Sequence, residues 1–216
     1  MNITNKTKLE LLNILKMKKL FGIGHISTID FNEIGTLSKY LPLDLNNLKE
    51  HVSNCSLCEL SKSKHSYSLH KGNEKSKIIL IDLINGFEEG KELNSLKNIL
   101  ESTLSININD IYMTNVIKCN VSKFRGDLDT QIKQCIPYLE QQINILNPEL
   151  IITLGSVFNY LMENNDNITD VSGNIFKYNN IKVIPLLEMS FIDKNPSYKE
   201  KMLIDLQKIK MIMDEK

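Results

Sequence analysis

The four cysteines constrain this chain more than any other feature. Cys55 and Cys58 form a C-x2-C pair, and after 60 further residues Cys119 and Cys135 form a C-x15-C pair. Soft thiolate ligands suit both tetrahedral zinc and iron-sulfur clusters, so the two pairs predict one metal centre built from two separated stretches. The spacing alone leaves zinc and iron-sulfur open.

Two disulfides or four scattered thiols are the alternative to a metal centre. Disulfide frameworks are typical of short secreted chains, whereas this chain has 216 residues and its first residues lack the apolar run of a secretory signal. No apolar run approaches the roughly 20 residues that span a bilayer. We therefore expect reduced cysteines in a cytoplasmic protein without a membrane partner.

The charged residues give no overall attraction to nucleic acid, because 26 basic residues balance 26 acidic ones. A DNA partner is therefore weakly supported on charge grounds and needs local clusters. Five lysines and two glutamates lie between Cys58 and Lys77, which fits either a solvated loop or a surface that contacts phosphates. The only arginine, Arg125, lies between the last two cysteines.

The apolar pattern divides the chain near residue 50. Residues 1–50 show leucines at helical spacing, which predict an N-terminal helical extension with helices at 9–20 and 31–40. This extension either docks on the rest of the chain or binds a protein partner. Residues 51–216 are predicted to form one domain, and we expect a monomer.

Short β-branched runs alternate with helical patterns within residues 51–216. Strands are predicted at 78–81, 111–116, 150–154 and 181–187, and helices at 93–104, 128–146, 156–163 and 196–213. This alternation predicts an α/β fold of three layers, α/β/α, with a mainly parallel four-stranded sheet. In such folds the ligand crevice lies at the carboxyl ends of the strands.

Several motifs around the cysteines and strand ends resemble one family, the family 4 uracil-DNA glycosylases, which are the iron-sulfur branch of the uracil-DNA glycosylase superfamily. The resemblance covers about three quarters of the chain, from Cys55 to the C-terminal helix. The motifs are CSLCEL at 55–60 for the family's C-x2-C-x-L, TNVIKC at 114–119 for T-N-V-x-K-C, CIPYL at 135–139 for C-x-P-Y-L, and TLG at 153–155.

The resemblance implies a cofactor and a set of binding residues. It implies that Cys55, Cys58, Cys119 and Cys135 hold a 4Fe-4S cluster, with zinc the less favoured metal, and that the cluster has a structural role. Asn115 corresponds to the family residue whose amide reads the Watson-Crick edge of a flipped uracil. It could equally be a turn-forming Asn at a strand end. We expect Lys118, Lys123 and Arg125 to contact nucleic-acid phosphates.

Both catalytic motifs of the resembled family are altered. The family's G-E-x-P-G, whose glutamate assists attack by water, corresponds to DLING at 82–86, so Leu83 replaces the carboxylate. The histidine of H-P-x-x-L, which donates to the departing uracil, corresponds to Glu188, for which we expect a solvent-facing loop position. The G-R-P-F segment, whose aromatic ring stacks on the flipped base, has no counterpart.

Three functions are compatible with this pattern, and they leave open whether the chain is an enzyme. The first is a glycosylase-like iron-sulfur protein without normal uracil excision, retained for binding nucleic acid or a partner. The second is an active glycosylase on deaminated bases, with Asp82, Glu88, Glu89 or Glu188 as a substitute catalytic residue. The third is a structural iron-sulfur interaction protein. The combined loss of both motifs and the stacking segment favours the first.

Overall fold

The computed structural model describes residues 15, 41–62, 69–84, 87, 90–121 and 124–214. The N-terminal helices predicted at 9–20 and 31–40 therefore lie outside the described residues, apart from Leu15. The first described helix, α1, spans Leu45–Ser53. It crosses the domain boundary predicted at residue 50, which stays a prediction.

Six strands form one sheet within the described residues, in the order β1-β3-β2-β4-β6-β5. Strands β3, β2, β4 and β6 are parallel, and β1 and β5 pair antiparallel at the two edges. The strands are β1 (Lys71–Gly72), β2 (Ile78–Asp82), β3 (Tyr112–Asn115), β4 (Leu150–Leu154), β5 (Phe176–Tyr178) and β6 (Ile181–Leu186). The predicted parallel strands are confirmed, and the sheet has two short edge strands beyond the four predicted.

A turn at Asn179-Asn180 joins β5 to β6. Both asparagines have positive φ, 48° and 69°, as the two central residues of a type I′ hairpin turn require. Asn tolerates this left-handed region better than most residues. The turn therefore lets β5 pair antiparallel with β6, although β5 has only three residues and is too short to be predicted from its own pattern.

Helices cover both faces of the sheet, which confirms the three-layer architecture. The remaining helices are α2 (Glu59–Lys62), α3 (Lys91–Leu104), α4 (Asp129–Leu146), α5 (Val157–Met162), α6 (Ile168–Val171), α7 (Met189–Lys194) and α8 (Lys199–Asp214). Leu100 of α3 and Leu206 of α8 pack in one apolar layer with Leu80 and Ile152. On the opposite face, residues of α4 and α5 pack against Ile79, Ile81 and Ile151, which alternate with the first set along their strands.

A third apolar cluster joins α1 to α4. Leu48 and Val52 of α1 pack with Tyr138 of α4, and Gln141 Nε2 donates to the Pro42 carbonyl at 2.8 Å. Asp44 caps α1, because its carboxylate accepts the Asn47 N–H at 2.9 Å. This docking places the loop after α1 beside α4. No helix among the described residues has the length and apolarity to cross a bilayer.

Candidate metal centre and strand-end site

The four cysteines come from three parts of the fold. Cys55 and Cys58 lie between α1 and α2, Cys119 follows β3, and Cys135 lies in the second turn of α4. Cys119 and Cys135 are buried, and Cys55 and Cys58 are half-buried. The docking of α1 on α4 therefore brings the first pair towards the second.

Charges on the other three cysteines act on Cys135. Burial raises the pKa of the Cys135 thiol to about 12, the backbone N–H of Lys118 opposes that rise by donating to the sulfur, and thiolates at Cys58, Cys55 and Cys119 add to it. Burial also raises the pKa of Cys58, against the backbone N–H groups of Ser61 and Leu60. Four adjacent thiolates are mutually unfavourable without a cation, so metal binding must displace their protons.

These residues fit an iron-sulfur cluster in chemistry, although no group of three or more metal-ligating side chains is already gathered at metal-binding distance among the described residues. The donor set is four thiols, as clusters of this type require. The nearby backbone N–H groups act to lower the pKa values of Cys58 and Cys135, and donors of this kind stabilise cluster thiolates. The four cysteines therefore fit an iron-sulfur cluster by the chemistry of their sulfurs and by the packing that brings the two pairs towards each other.

Lys118 lies inside the protein, at 3% exposure. Its ammonium donates to Thr114 Oγ1 at 2.8 Å and also to the Asn115 carbonyl and Gln142 Oε1. Burial lowers the pKa of Lys118 to about 7, and the Cys135 charge partly offsets this shift. This position is at odds with the predicted phosphate contact, because the ammonium faces three protein oxygens instead of solvent.

Gln142 completes this buried network, and the sequence reasoning missed it. It is fully buried, and its Nε2 donates to the Leu69 carbonyl at 3.0 Å and to the Tyr112 hydroxyl at 2.6 Å. Gln142 lies two turns after Cys135 on the same face of α4. The sequence feature that could have revealed it is a glutamine on the otherwise apolar face of the helix predicted at 128–146.

The other two predicted phosphate contacts differ in what the structure describes. Lys123 lies outside the described residues. Arg125 is exposed, and its Nη1 donates to the neighbouring Phe124 carbonyl at 3.0 Å. Arg125 is therefore in a position from which it can reach a phosphate.

Asn115 lies at the carboxyl end of β3, at the edge where the ligand crevice is expected. It is 7% exposed, and its side-chain Oδ1 is buried without a hydrogen-bond partner among the described residues. Thr114 faces α4 through Gln142, so Asn115 faces the opposite side of the sheet. Buried polar atoms are nearly always paired, so this oxygen is able to accept a hydrogen bond from a ligand.

Asp82 and Leu83 differ in their surroundings. Asp82 pairs with Asn115 across β2 and β3, so both side chains lie on the same side of the sheet. The Asp82 carboxylate accepts the Leu83 N–H at 2.7 Å. Leu83 packs against the apolar cluster on the α4 side, and its carbonyl accepts the Ile117 N–H at 3.0 Å. Leu83 is therefore a packing residue.

Glu188 is half-buried instead of solvent-facing, which corrects the position expected from the sequence. Its carboxylate lies over Gly155, where a Cβ would come within 1.9 Å of Glu188 Oε1. Gly155 also has a φ of +54°, so both its backbone conformation and the nearby Glu188 side chain favour glycine at the residue after β4. Ser190 Oγ donates to Glu188 Oε2 at 3.2 Å.

The loop after β2 is described only in part, and Glu88 and Glu89 lie outside the described residues. Phe87, the aromatic residue that follows Gly86, is 3% exposed and packs in the apolar layer with α3. The Lys71 ammonium donates to its carbonyl. The Phe87 ring is thus not available to stack on a base in this conformation.

A cavity of about 580 Å³ lies at the amino ends of the parallel strands. Its lining includes Ile78, Leu150 and Ile181, which begin three of the strands. The carboxyl ends of those strands lie at the opposite end of the sheet, beside Asn115. The cavity is therefore separate from the strand-end site.

Comparison with known proteins agrees with the resemblance in the motifs. The family model described as "Uracil DNA glycosylase superfamily" matches residues 87–207. The Type-4 uracil-DNA glycosylase of Sulfurisphaera tokodaii is 28% identical over 77% of this chain and 83% of its own length. That of Archaeoglobus fulgidus is 24% identical over 76% and 91%, and that of Thermotoga maritima is 27% identical over 76% and 91%.

Proposed function

Because this chain belongs to the uracil-DNA glycosylase superfamily, we propose that it is a glycosylase-like iron-sulfur protein that binds uracil-containing nucleic acid without normal uracil excision. One juxtaposition carries the proposal. The base-reading Asn115 keeps a buried oxygen that has no partner among the described residues, while the position of the catalytic carboxylate holds Leu83, which is half-buried and packs against the core.

Binding follows from the chemistry of the Asn115 amide. Its Oδ1 accepts a hydrogen bond from uracil N3–H, and its Nδ2 donates to a uracil carbonyl. Base flipping costs a few kcal/mol, which stacking and edge contacts must offset. With Phe87 buried in the core, Asn115 supplies a larger share of that offset here than in a site with a stacking ring.

Excision needs groups that the two altered motif positions, 83 and 188, do not supply. A glycosidic bond breaks with positive charge developing on the sugar and negative charge on the base, so a carboxylate and a hydrogen-bond donor have to face those charges. Leucine at position 83 offers neither. The Glu188 carboxylate carries the wrong sign for the departing base, and it already accepts from Ser190 Oγ.

The four cysteines would hold a 4Fe-4S cluster, which would supply a rigid, thiolate-ligated link between the loop after α1, the loop after β3 and α4. The chain's own residues prepare this link. Lys118 connects the cysteines to the base-reading residue. Its side-chain ammonium donates to the Asn115 carbonyl, and its backbone N–H acts on the Cys135 sulfur. Arg125 and Lys123 are proposed to contact phosphates. Reduced thiols and a nucleic-acid ligand also favour a cytoplasmic location.

The test measures binding and base release on the same cluster-loaded protein, prepared without oxygen. Single- and double-stranded oligonucleotides carry uracil, thymine, hypoxanthine or xanthine at one position. We expect wild-type protein to bind the uracil strand more tightly than the thymine strand, and Asn115→Ala to reduce that affinity roughly tenfold. Asn144→Ala, at an exposed position of α4, is the matched control.

Base release separates the proposal from an active enzyme with altered chemistry. We expect no release of any of these bases above the rate without protein. Asp82 is the candidate substitute, because it lies level with Asn115. Release that disappears in Asp82→Asn or Glu188→Gln would overturn the proposal and establish a glycosylase. Equal affinity for uracil and thymine strands would overturn the role of Asn115.

A further inference from the structure

The Tyr138 hydroxyl is a buried donor without a partner. Its side chain is 1% exposed, and its oxygen has no hydrogen-bond partner among the described residues. Leaving a buried hydroxyl unpaired costs free energy. Each such group in a folded protein therefore calls for an explanation.

Thiols surround this hydroxyl. Tyr138 lies one turn after Cys135 on the same face of α4, and Cys55 packs against the same apolar cluster as the Tyr138 ring. Burial raises the pKa of the Tyr138 phenol above its usual range, and thiolate charges at Cys55, Cys135 and Cys119 raise it further. Cys55 is thus a polar group packed in the same cluster as the phenol, placed to pair with its hydroxyl.

We propose that the Tyr138 hydroxyl donates a hydrogen bond to the Cys55 sulfur when that sulfur is a cluster ligand. This inference rests on the cluster in the proposed function. A thiolate is a stronger acceptor than a thiol, so metal binding gives the hydroxyl the partner that it lacks. Tyr138 is then a positioning residue that binds no iron itself.

The hydrogen bond has two measurable consequences. Hydrogen bonds to cluster sulfurs are among the factors that set the reduction potential. Because one-electron reduction adds negative charge to the cluster and its sulfurs, a donor stabilises the reduced form more than the oxidised form. The same bond holds Cys55, the most N-terminal ligand, in place against dissociation from iron. Removing it should lower the potential and hasten cluster loss.

The experiment compares Tyr138→Phe with Tyr178→Phe in cluster-loaded protein kept free of oxygen. Tyr178 is the matched control, because its hydroxyl also lies against α4, 3.5 Å from Glu140 Oε1, but away from the cysteines. The readouts are the midpoint potential from a redox titration and the rate at which a chelator bleaches the visible absorbance. For Tyr138→Phe we expect wild-type iron content, a more negative potential and roughly tenfold faster bleaching. Tyr178→Phe should match wild type.

An unchanged potential and bleaching rate in iron-loaded Tyr138→Phe would overturn this inference alone. A colourless, zinc-containing wild-type protein from anaerobic preparation would overturn the cluster and this inference together. If Tyr138→Phe does not fold, wild-type chain labelled with 3-fluorotyrosine replaces it, since the fluorinated phenol is a stronger donor. Its potential should then move in the positive direction, and no movement would contradict the inference.

Discussion

Strand β3 connects two regions that differ in how much of the family pattern they keep. After β3, the chain passes from Asn115 to Cys119 within four residues. On the α4 side, Cys119, Cys135, Lys118 and Gln142 form a buried set, and Cys55 and Cys58 are half-buried. At the strand ends, Leu83 and Glu188 occupy the positions of the two catalytic groups.

The difference reflects how each region contributes to folding. Lys118, Gln142, Cys119 and Cys135 are buried and depend on one another, so replacing one leaves several polar or charged groups without partners. Leu83 and Glu188 are only half-buried, and no hydrogen-bond network of this kind depends on the Leu83 side chain. The scaffold can therefore outlast the catalytic groups, and fold alone does not establish activity.

The largest expected effect is the loss of a cluster ligand. Cys119→Ser should abolish the visible absorbance of anaerobically prepared protein and lower the free energy of unfolding by at least about 4 kcal/mol, as loss of a structural metal does. Absorbance spectra and chemical denaturation measure both. Ser56→Ala, at an exposed position between the first two cysteines, is the control. If Cys119→Ser kept wild-type colour and stability, Cys119 would not be a cluster ligand.

Lys118→Met should follow in size. It leaves Thr114 Oγ1, the Asn115 carbonyl and Gln142 Oε1 without their shared donor, which is expected to cost about 3 kcal/mol of unfolding free energy. Denaturant titration beside Lys133→Met, which replaces an exposed lysine of α4, isolates this cost. If Lys118→Met and Lys133→Met are equally stable, the hydrogen bonds of Lys118 do not hold β3 and α4 together.

Arg125→Gln tests the nucleic-acid side with a smaller effect. If Arg125 contacts a phosphate, the slope of log affinity against log salt concentration should become shallower by about one. Because Lys118 is buried, Lys118→Arg should leave that slope unchanged if it folds. Titrations at several salt concentrations give both slopes. An Arg125→Gln slope equal to that of wild type would mean that the arginine does not contact phosphate.

The smallest effect concerns a carboxyl of α4 that takes part in neither region. Burial raises the pKa of Glu140 above its ordinary value of 4.5, against the hydrogen bond from Tyr178. The native state therefore holds this proton more tightly, and stability is lost as pH rises from 4.5 through the folded pKa. Glu140→Gln should become more stable relative to wild type over this window, by less than about 1 kcal/mol. A difference that is independent of pH would contradict this assignment.

The sequence predicted the parallel strands and their helices because short β-branched runs and helical apolar spacing report directly on burial. It did not predict β1, whose two residues are too short to show any periodicity. The burial of Lys118 was also missed, since a lysine beside a cysteine is expected at the surface unless its oxygen partners are known. Those partners lie on β3 and on α4, at Gln142, and only the fold brings them together.

We propose that the four cysteines keep their cluster while the excision chemistry is replaced, and single-turnover release of uracil separates this from an active enzyme. Cluster-loaded wild type is compared with a Leu83→Glu/Glu188→His double variant on one uracil-containing single strand. We expect release at the rate without protein for wild type, and faster release for the variant in which both groups are restored. Rapid release by wild type, lost on replacing Asp82 or Glu188, would contradict it.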